Sequence, residues 1–192
     1  SQCDVADPVQ VAKTVGQLKT SDFLPDVIVL NSAVFLRDLK GDFDFSLAQQ
    51  GLAVNYGGAM IWIGELLPEF LKRGSGKFLA VSSTSAFRPD ADSVALPASK
   101  AALSLAFRSL RLRYSRRGIK FVTVYFGPVA TPIIPEYTDA AGRKKYFFVL
   151  TPEQAARKLK KAIFGKRNKY FFPFWLTVLF RAALFFPDSF FS

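Results

Sequence analysis

The sequence has no histidine and a single cysteine, and each of these scarcities excludes a class of active site. Without histidine there is no Ser-His-Asp or Cys-His nucleophile pair, no two-histidine zinc site and no histidine pH switch. Cys3 alone can form neither an internal disulfide nor a cysteine-based zinc cluster, which fits a reducing compartment. We therefore expect no metal site and a cytoplasmic location.

Targeting and membrane-spanning signals are also scarce. Residues 1–7 lack the basic and apolar regions of a signal peptide. The aromatic-rich segment 170–187 is interrupted by Pro173 and Arg181, whereas a spanning helix needs about 20 apolar residues. No transmembrane helix is predicted. The segment is interpreted either as a strand and helix packed on the core or on another subunit, or as a peripheral contact with a membrane surface.

Acidic side chains are scarce in the second half of the chain. The whole sequence has 26 Lys and Arg against 15 Asp and Glu, a net charge of +11. Residues 1–99 carry 8 basic and 11 acidic side chains, whereas residues 100–192 carry 18 and 4. Such a field favours anionic partners such as nucleotide phosphates or an acidic membrane, although exposed helix faces show the same pattern. Nucleic acid is not expected as a partner, because no nucleic-acid-binding motif is present.

What the chain does have is a regular alternation of apolar runs and amphipathic segments, within a length that fits one domain over residues 1–192. The apolar runs predict strands at 26–30, 77–81, 119–125 and 169–174. Helices are predicted at 6–20, 47–73, 98–117 and 152–164, with a last aromatic-rich helix within 170–192. This alternation predicts an α/β fold with a Rossmann-like, doubly wound parallel sheet.

Short polar residues follow three of the predicted strands, where a parallel sheet binds its ligands. They are Asn31-Ser32-Ala33, Ser82–Ser85 and Phe126-Gly127-Pro128. Each group alone is a weak signal, because any loop from a strand to a helix has such residues. Their order and their spacing from Asn55 and Lys100, on two predicted helices, are more specific.

This ordered set resembles the short-chain dehydrogenase/reductase family, and the likeness runs from Cys3 to the C-terminus. Asn31-Ser32-Ala33-Val34 is similar to the family's Asn-Asn-Ala-Gly element, and Gly127–Thr131 is similar to its Pro-Gly-Pro-Val-x-Thr loop. The catalytic positions that the resemblance implies are Asn55, Ser83 and Lys100. The positions that it implies for binding NAD or NADP are Asp4, Val5, Asn31, Ala33, Lys100, Pro128, Val129 and Thr131.

Two departures from the family pattern bear on activity. The family's acid/base tyrosine lies four residues before the lysine, and this chain has Leu96 there. Loss of a general acid typically costs about 10²–10⁴ in rate. The second departure is that no Gly-rich phosphate-binding turn, and no N-terminal βαβ unit to carry it, is recognised before Asn31. Tyr137 and Tyr146 are poor substitutes for the phenol, because loops rarely position catalytic groups accurately.

The resemblance implies NAD(P)-dependent oxidation or reduction of a small carbonyl or alcohol substrate. We expect this activity to be impaired or absent in the chain as it stands, which would make it either a fragment of a longer protein or a truncated pseudoenzyme. The apolar strand at 27–30 would then lie at an open sheet edge, which favours association into homo-oligomers. The alternative is a non-catalytic module, derived from this family, that binds a partner, a membrane surface or another copy of the chain. Substrate choice is assigned to a variable loop at about 133–149, and NAD is not distinguished from NADP.

Overall fold

The computed structural model describes residues 2–38, 42–90, 92–132 and 148–183. The strands are β1 (Val27–Leu30), β2 (Gly76–Ser83), β3 (Ile119–Phe126) and β4 (Lys169–Phe172). The helices are α1 (Pro8–Thr20), α2 (Phe45–Leu52), α3 (Gly58–Arg73), α4 (Ala95–Tyr114), α5 (Pro152–Phe164) and α6 (Phe174–Ala183). A π-helical turn at Ala53–Gly57 joins α2 to α3, and 3₁₀ turns follow β2 and α4 at Thr84–Phe87 and Ser115–Arg117.

The four strands form one parallel sheet in the order β1-β2-β3-β4. The register places Ile28 beside Phe78, Phe78 beside Phe121, and Tyr125 beside Phe171. Helices cover both faces of this sheet, since residues of α1, α3 and α4 pack on one face and residues of α5 pack on the other. The predicted α/β, Rossmann-like fold is thus confirmed.

The core is divided by the sheet into two apolar layers. In the larger layer Phe78 lies between Phe70 and Phe121, with ring centroids 4.9 and 5.2 Å apart. The smaller layer contains Leu79 and Ala162, both fully buried. The larger layer includes residues of β1, β2 and β3, and the smaller layer includes residues of β2, β3 and β4, so each strand packs against helices on at least one face.

The predicted helix over 47–73 is interrupted in the structure. It consists of α2, the π-helical turn and α3, and it begins at Phe45 after an N-cap by Asp44. The π-helical turn contains Asn55, whose side chain forms hydrogen bonds to residues outside this helical segment. Such turns are frequent at functional sites. The predicted helix end is confirmed, because Gly74 adopts a left-handed conformation at the C-cap (φ 70°).

The strand predicted over 169–174 is shorter than expected. β4 ends at Phe172, because Pro173 has no backbone N–H to continue the sheet, and α6 begins at the next residue. The segment 170–187 therefore contains a strand end and a helix, as far as residue 183. Within the described part of the chain, no helix combines the length and the apolar character needed to cross a membrane.

β1 is an edge strand, as predicted. Among the described residues it pairs only with β2. A cavity of about 440 Å³, termed the β1 cavity, runs along this strand between α1 and α3 and is lined by Val5, Leu18, Val29, Asn31 and Trp62, among others. An apolar edge strand of this kind is open to further strand pairing.

Candidate active site at the carboxyl edge of the sheet

A second cavity, of about 400 Å³, opens at the carboxyl ends of β2 and β3 and is termed the Lys100 cavity. The predicted site residues that line it are Asn31, Ala33, Ser83, Lys100, Val129 and Thr131. Leu96 lines it as well, together with apolar walls formed by Phe126 and Leu159. The structure therefore brings together residues from the loop after β1, the ends of two strands and two helices.

Asn55 is buried in the wall of the β1 cavity, not of the Lys100 cavity, and binds the loop that follows β1. Its side-chain oxygen accepts a hydrogen bond from the Val34 backbone N–H at 2.7 Å, and its side-chain nitrogen donates to the Val34 carbonyl at 3.0 Å. The same nitrogen donates to the Ser99 hydroxyl at 3.0 Å. Only 2% of Asn55 is exposed, so these bonds replace those that water would make. Asn55 thus joins the loop after β1 to α4.

Lys100 reaches the cavity from α4 and is 5% exposed. Its ammonium group donates a hydrogen bond to the Val81 carbonyl at 2.9 Å, near the end of β2. Burial disfavours the charged form and lowers the pKa of Lys100 to about 8. A substantial fraction of this amine is therefore neutral at pH values where a surface lysine is almost fully charged.

Ser82 and Ser83, which end β2, differ in their surroundings. The Ser82 hydroxyl is buried and bonds to the Ser104 hydroxyl, with the two oxygens 2.9 Å apart. The Ser83 hydroxyl accepts a hydrogen bond from the Ser85 backbone N–H at 3.1 Å. That bond leaves the Ser83 O–H able to donate into the cavity that the residue lines.

The loop after β3 is held by backbone hydrogen bonds to the residues before α5. Leu150 N–H donates to the Pro128 carbonyl at 3.0 Å, and Ala130 N–H donates to the Leu150 carbonyl at 2.8 Å. These bonds place Val129 and Thr131 in the cavity wall. Pro128, also predicted for cofactor binding, contributes its backbone carbonyl to this support.

Leu96 occupies the position four residues before Lys100, on the first turn of α4. Three tyrosines pack elsewhere: Tyr56 and Tyr114 lie against the larger core layer, and Tyr125 stacks on Phe171 with centroids 4.9 Å apart. Tyr137 and Tyr146, which are expected to be poor substitutes for the phenol, lie outside the described residues, as does the variable loop except for its last two residues. Tyrosine is absent from the described lining of the Lys100 cavity.

The remaining predicted cofactor positions lie on the opposite side of the loop after β1. Val5 lines the β1 cavity and packs on Gly58, where an added Cβ would come within 2.9 Å of it. Asp4 precedes it and accepts a hydrogen bond from the Ala6 N–H at 2.9 Å. Asn31 lines both cavities and is where they meet.

Sequence reasoning missed one buried polar residue of the site. Ser99 accepts the hydrogen bond from Asn55 and donates at 3.1 Å to the carbonyl of Leu96. It therefore connects the loop after β1 to the first turn of α4. Ser99 directly precedes Lys100 in the sequence, which could have marked it as a residue of the site. The sequence does not indicate its hydrogen-bond partner, because a serine within a helix can bond to many groups.

We expect Asn55→Ala to lower the free energy of unfolding by about 1–3 kcal/mol, because the partly buried N–H and carbonyl of Val34 lose their partner. Urea unfolding followed by circular dichroism measures this loss. The matched control is Asn168→Ala, at an exposed position, with an expected change below about 0.5 kcal/mol. Equal losses for the two variants would show that the Asn55 bonds contribute nothing.

Comparison with known proteins identifies the family. The family model described as short chain dehydrogenase matches residues 1–142. An uncharacterized oxidoreductase of Staphylococcus haemolyticus is 31% identical over 155 residues, which are 80% of this chain and 64% of that protein. A fatty acyl-CoA reductase of Acinetobacter baylyi is 30% identical over 165 residues, 84% of this chain and 54% of that protein. The chain thus spans less than two thirds of these relatives.

Among solved structures, a short chain dehydrogenase from Burkholderia cenocepacia in complex with NADP superimposes with a TM-score of 0.79 at 17% identity. The match covers 98% of this chain and 75% of that one. At this identity the likeness concerns the fold alone. Taken with the family model, which matches well over half of the residues, it leads to one conclusion: the chain belongs to the short-chain dehydrogenase family.

Proposed function

We propose that the Lys100 cavity is the carbonyl and nicotinamide site of an NAD(P)-dependent oxidoreductase in which proton transfer is impaired. The observation that carries this proposal is the lining of the cavity. Ser83, Leu96 and Lys100 face one space, with the family's proton-donor position filled by leucine. Leucine cannot protonate the oxygen that becomes an alkoxide when hydride is added to a carbonyl carbon.

The residues divide into a cofactor part and a substrate part. Asn31, Ala33, Lys100, Val129 and Thr131 would hold the nicotinamide end, and Asp4 and Val5 would hold the adenine end. NAD or NADP, when bound, supplies or accepts the hydride. The Ser83 hydroxyl orients the carbonyl oxygen by donating a hydrogen bond, and Asn55 acts through the loop that it holds.

The substrate class follows from the walls of the cavity. Leu96, Phe126 and Leu159 are apolar, and the cavity volume of about 400 Å³ suits a small organic molecule. We propose an aliphatic aldehyde or ketone, or the matching alcohol. The fatty acyl-CoA reductase among the relatives supports an aliphatic substrate.

Leu96→Tyr is expected to raise the rate of NADPH-dependent octanal reduction by about 10²–10⁴, because it restores a phenol one helical turn before Lys100. The rate is read from NADPH absorbance with equal amounts of folded protein. Leu96→Phe is the matched control, since it adds the ring without the hydroxyl group. Equal rates for the two variants would contradict the role assigned to position 96.

A second candidate function is binding to an anionic membrane surface through α6. Phe174, Trp175, Val178 and Leu179 are 45–67% exposed and share one side of this helix. The second half of the sequence carries 18 basic and 4 acidic side chains, which complements acidic lipid headgroups. Exposed aromatic and aliphatic side chains beside basic residues are typical of interfacial helices.

Binding to vesicles tests this second function. The chain is expected to sediment with vesicles that contain phosphatidylserine and to remain in solution with vesicles of phosphatidylcholine alone. Replacing Trp175 and Leu179 with serine is expected to abolish sedimentation. Serine at Leu105 and Leu112, two exposed positions of α4, is the matched control. The same loss with both pairs of substitutions would contradict a role for α6.

A further inference from the structure

The amine of Lys100 lies in unusual surroundings for a lysine. It is 5% exposed, and its hydrogen bond goes to a neutral carbonyl, that of Val81. The elements packed around the cavity are the loop after β1, the ends of β2 and β3, and helices α4 and α5. Apart from Lys100, their described lining residues carry no titratable side chain. No carboxylate there stabilises an ammonium ion.

We propose that Lys100 captures aliphatic aldehydes as imines in the Lys100 cavity, without any nicotinamide cofactor. The proposal rests on the placement of a buried primary amine in the wall of an apolar cavity that is large enough for an alkyl chain. Lysines desolvated in apolar surroundings are the ones that act as nucleophiles toward carbonyl groups. This activity is separate from hydride transfer and does not depend on the proposed oxidoreductase function.

The chemistry is a condensation with no net oxidation or reduction. The lone pair of the neutral Lys100 nitrogen forms a C–N bond with the aldehyde carbon while the carbonyl π bond breaks. The oxygen takes up a proton and the nitrogen releases one, which yields a carbinolamine. Loss of that hydroxyl group with a proton, as water, gives the imine. The Ser83 hydroxyl, in the same wall, can hydrogen-bond the oxygen during addition.

The Lys100 amine can still attack a carbonyl carbon while it donates a hydrogen bond to Val81. One N–H of Lys100 donates to the Val81 carbonyl at 2.9 Å. A neutral amine has a second N–H and a lone pair beyond that bond, whereas the charged form has no lone pair. Leu96, in the first turn of α4, contributes an apolar side chain to the cavity wall and offers the Lys100 amine no hydrogen-bond partner.

The acidity of the group agrees with this geometry. Burial lowers the pKa of Lys100 to about 8, against 10.5 for an ordinary lysine. At pH 7 the neutral fraction is therefore roughly 300-fold larger than that of an exposed lysine. Part of this gain is offset, because a less basic amine is a weaker nucleophile.

Reductive trapping tests the proposal. The folded chain is incubated with octanal and cyanoborohydride at pH 7 without cofactor, and the alkylated lysines are quantified by peptide mapping. We expect Lys100 to be alkylated at least tenfold faster than the exposed Lys13 and Lys160 in the same sample. The preference is expected to disappear in urea, where every lysine is exposed.

Two substitutions sharpen the experiment. Leu96→Glu places a carboxylate one turn before Lys100, favours the ammonium form and is expected to slow the alkylation of Lys100 at least tenfold. Leu96→Gln, which differs from Leu96→Glu in charge and hardly in shape, is the matched control. Lys100 labelling no faster than that of Lys13 and Lys160 in the folded wild-type chain would overturn the proposal. A chain that binds NADPH but shows no such preference would retain the oxidoreductase function and lose this one.

Discussion

The side-chain amide of Asn55 supports the whole candidate site. It pairs with both backbone groups of Val34 and with Ser99, so the loop after β1 is held against α4. Both cavities share Asn31 in that loop, and the Lys100 cavity also includes Ala33. Because the amide is buried, no water can replace a lost bond without rearrangement. Asn55 lies in the π-helical turn that separates α2 from α3, and such turns are frequent at functional sites.

The strands, the parallel sheet and the meeting of several predicted residues at one edge of the sheet could be predicted from the sequence. Apolar runs indicate strands, and the residues after them, such as Asn31 and Ser83, meet at one edge because the strands are parallel. The partners of Asn55 and Lys100 could not be predicted, since they depend on distances across the fold. The same holds for the π-helical turn and for the division of the cofactor positions between two cavities.

A single residue relates the two activities that we propose for the Lys100 cavity. Leu96 provides no proton for an alkoxide, which disfavours hydride chemistry. The same apolar side chain contributes to surroundings in which the lysine is poorly solvated, and this favours the neutral amine. Carbonyl compounds are the reactants in both cases. The two proposals differ in the group that attacks the carbonyl carbon, a hydride in one and the lysine nitrogen in the other.

The central claim is that the cavity at the carboxyl edge of the sheet accepts the nicotinamide end of a dinucleotide. Titration of the folded chain with NADPH tests it directly, because Trp62 lines the adjoining β1 cavity and can transfer energy to the reduced nicotinamide. We expect saturable quenching at submillimolar NADPH, weakened by Lys100→Met. No saturable binding at millimolar NADPH, in a chain shown to be folded, would contradict it.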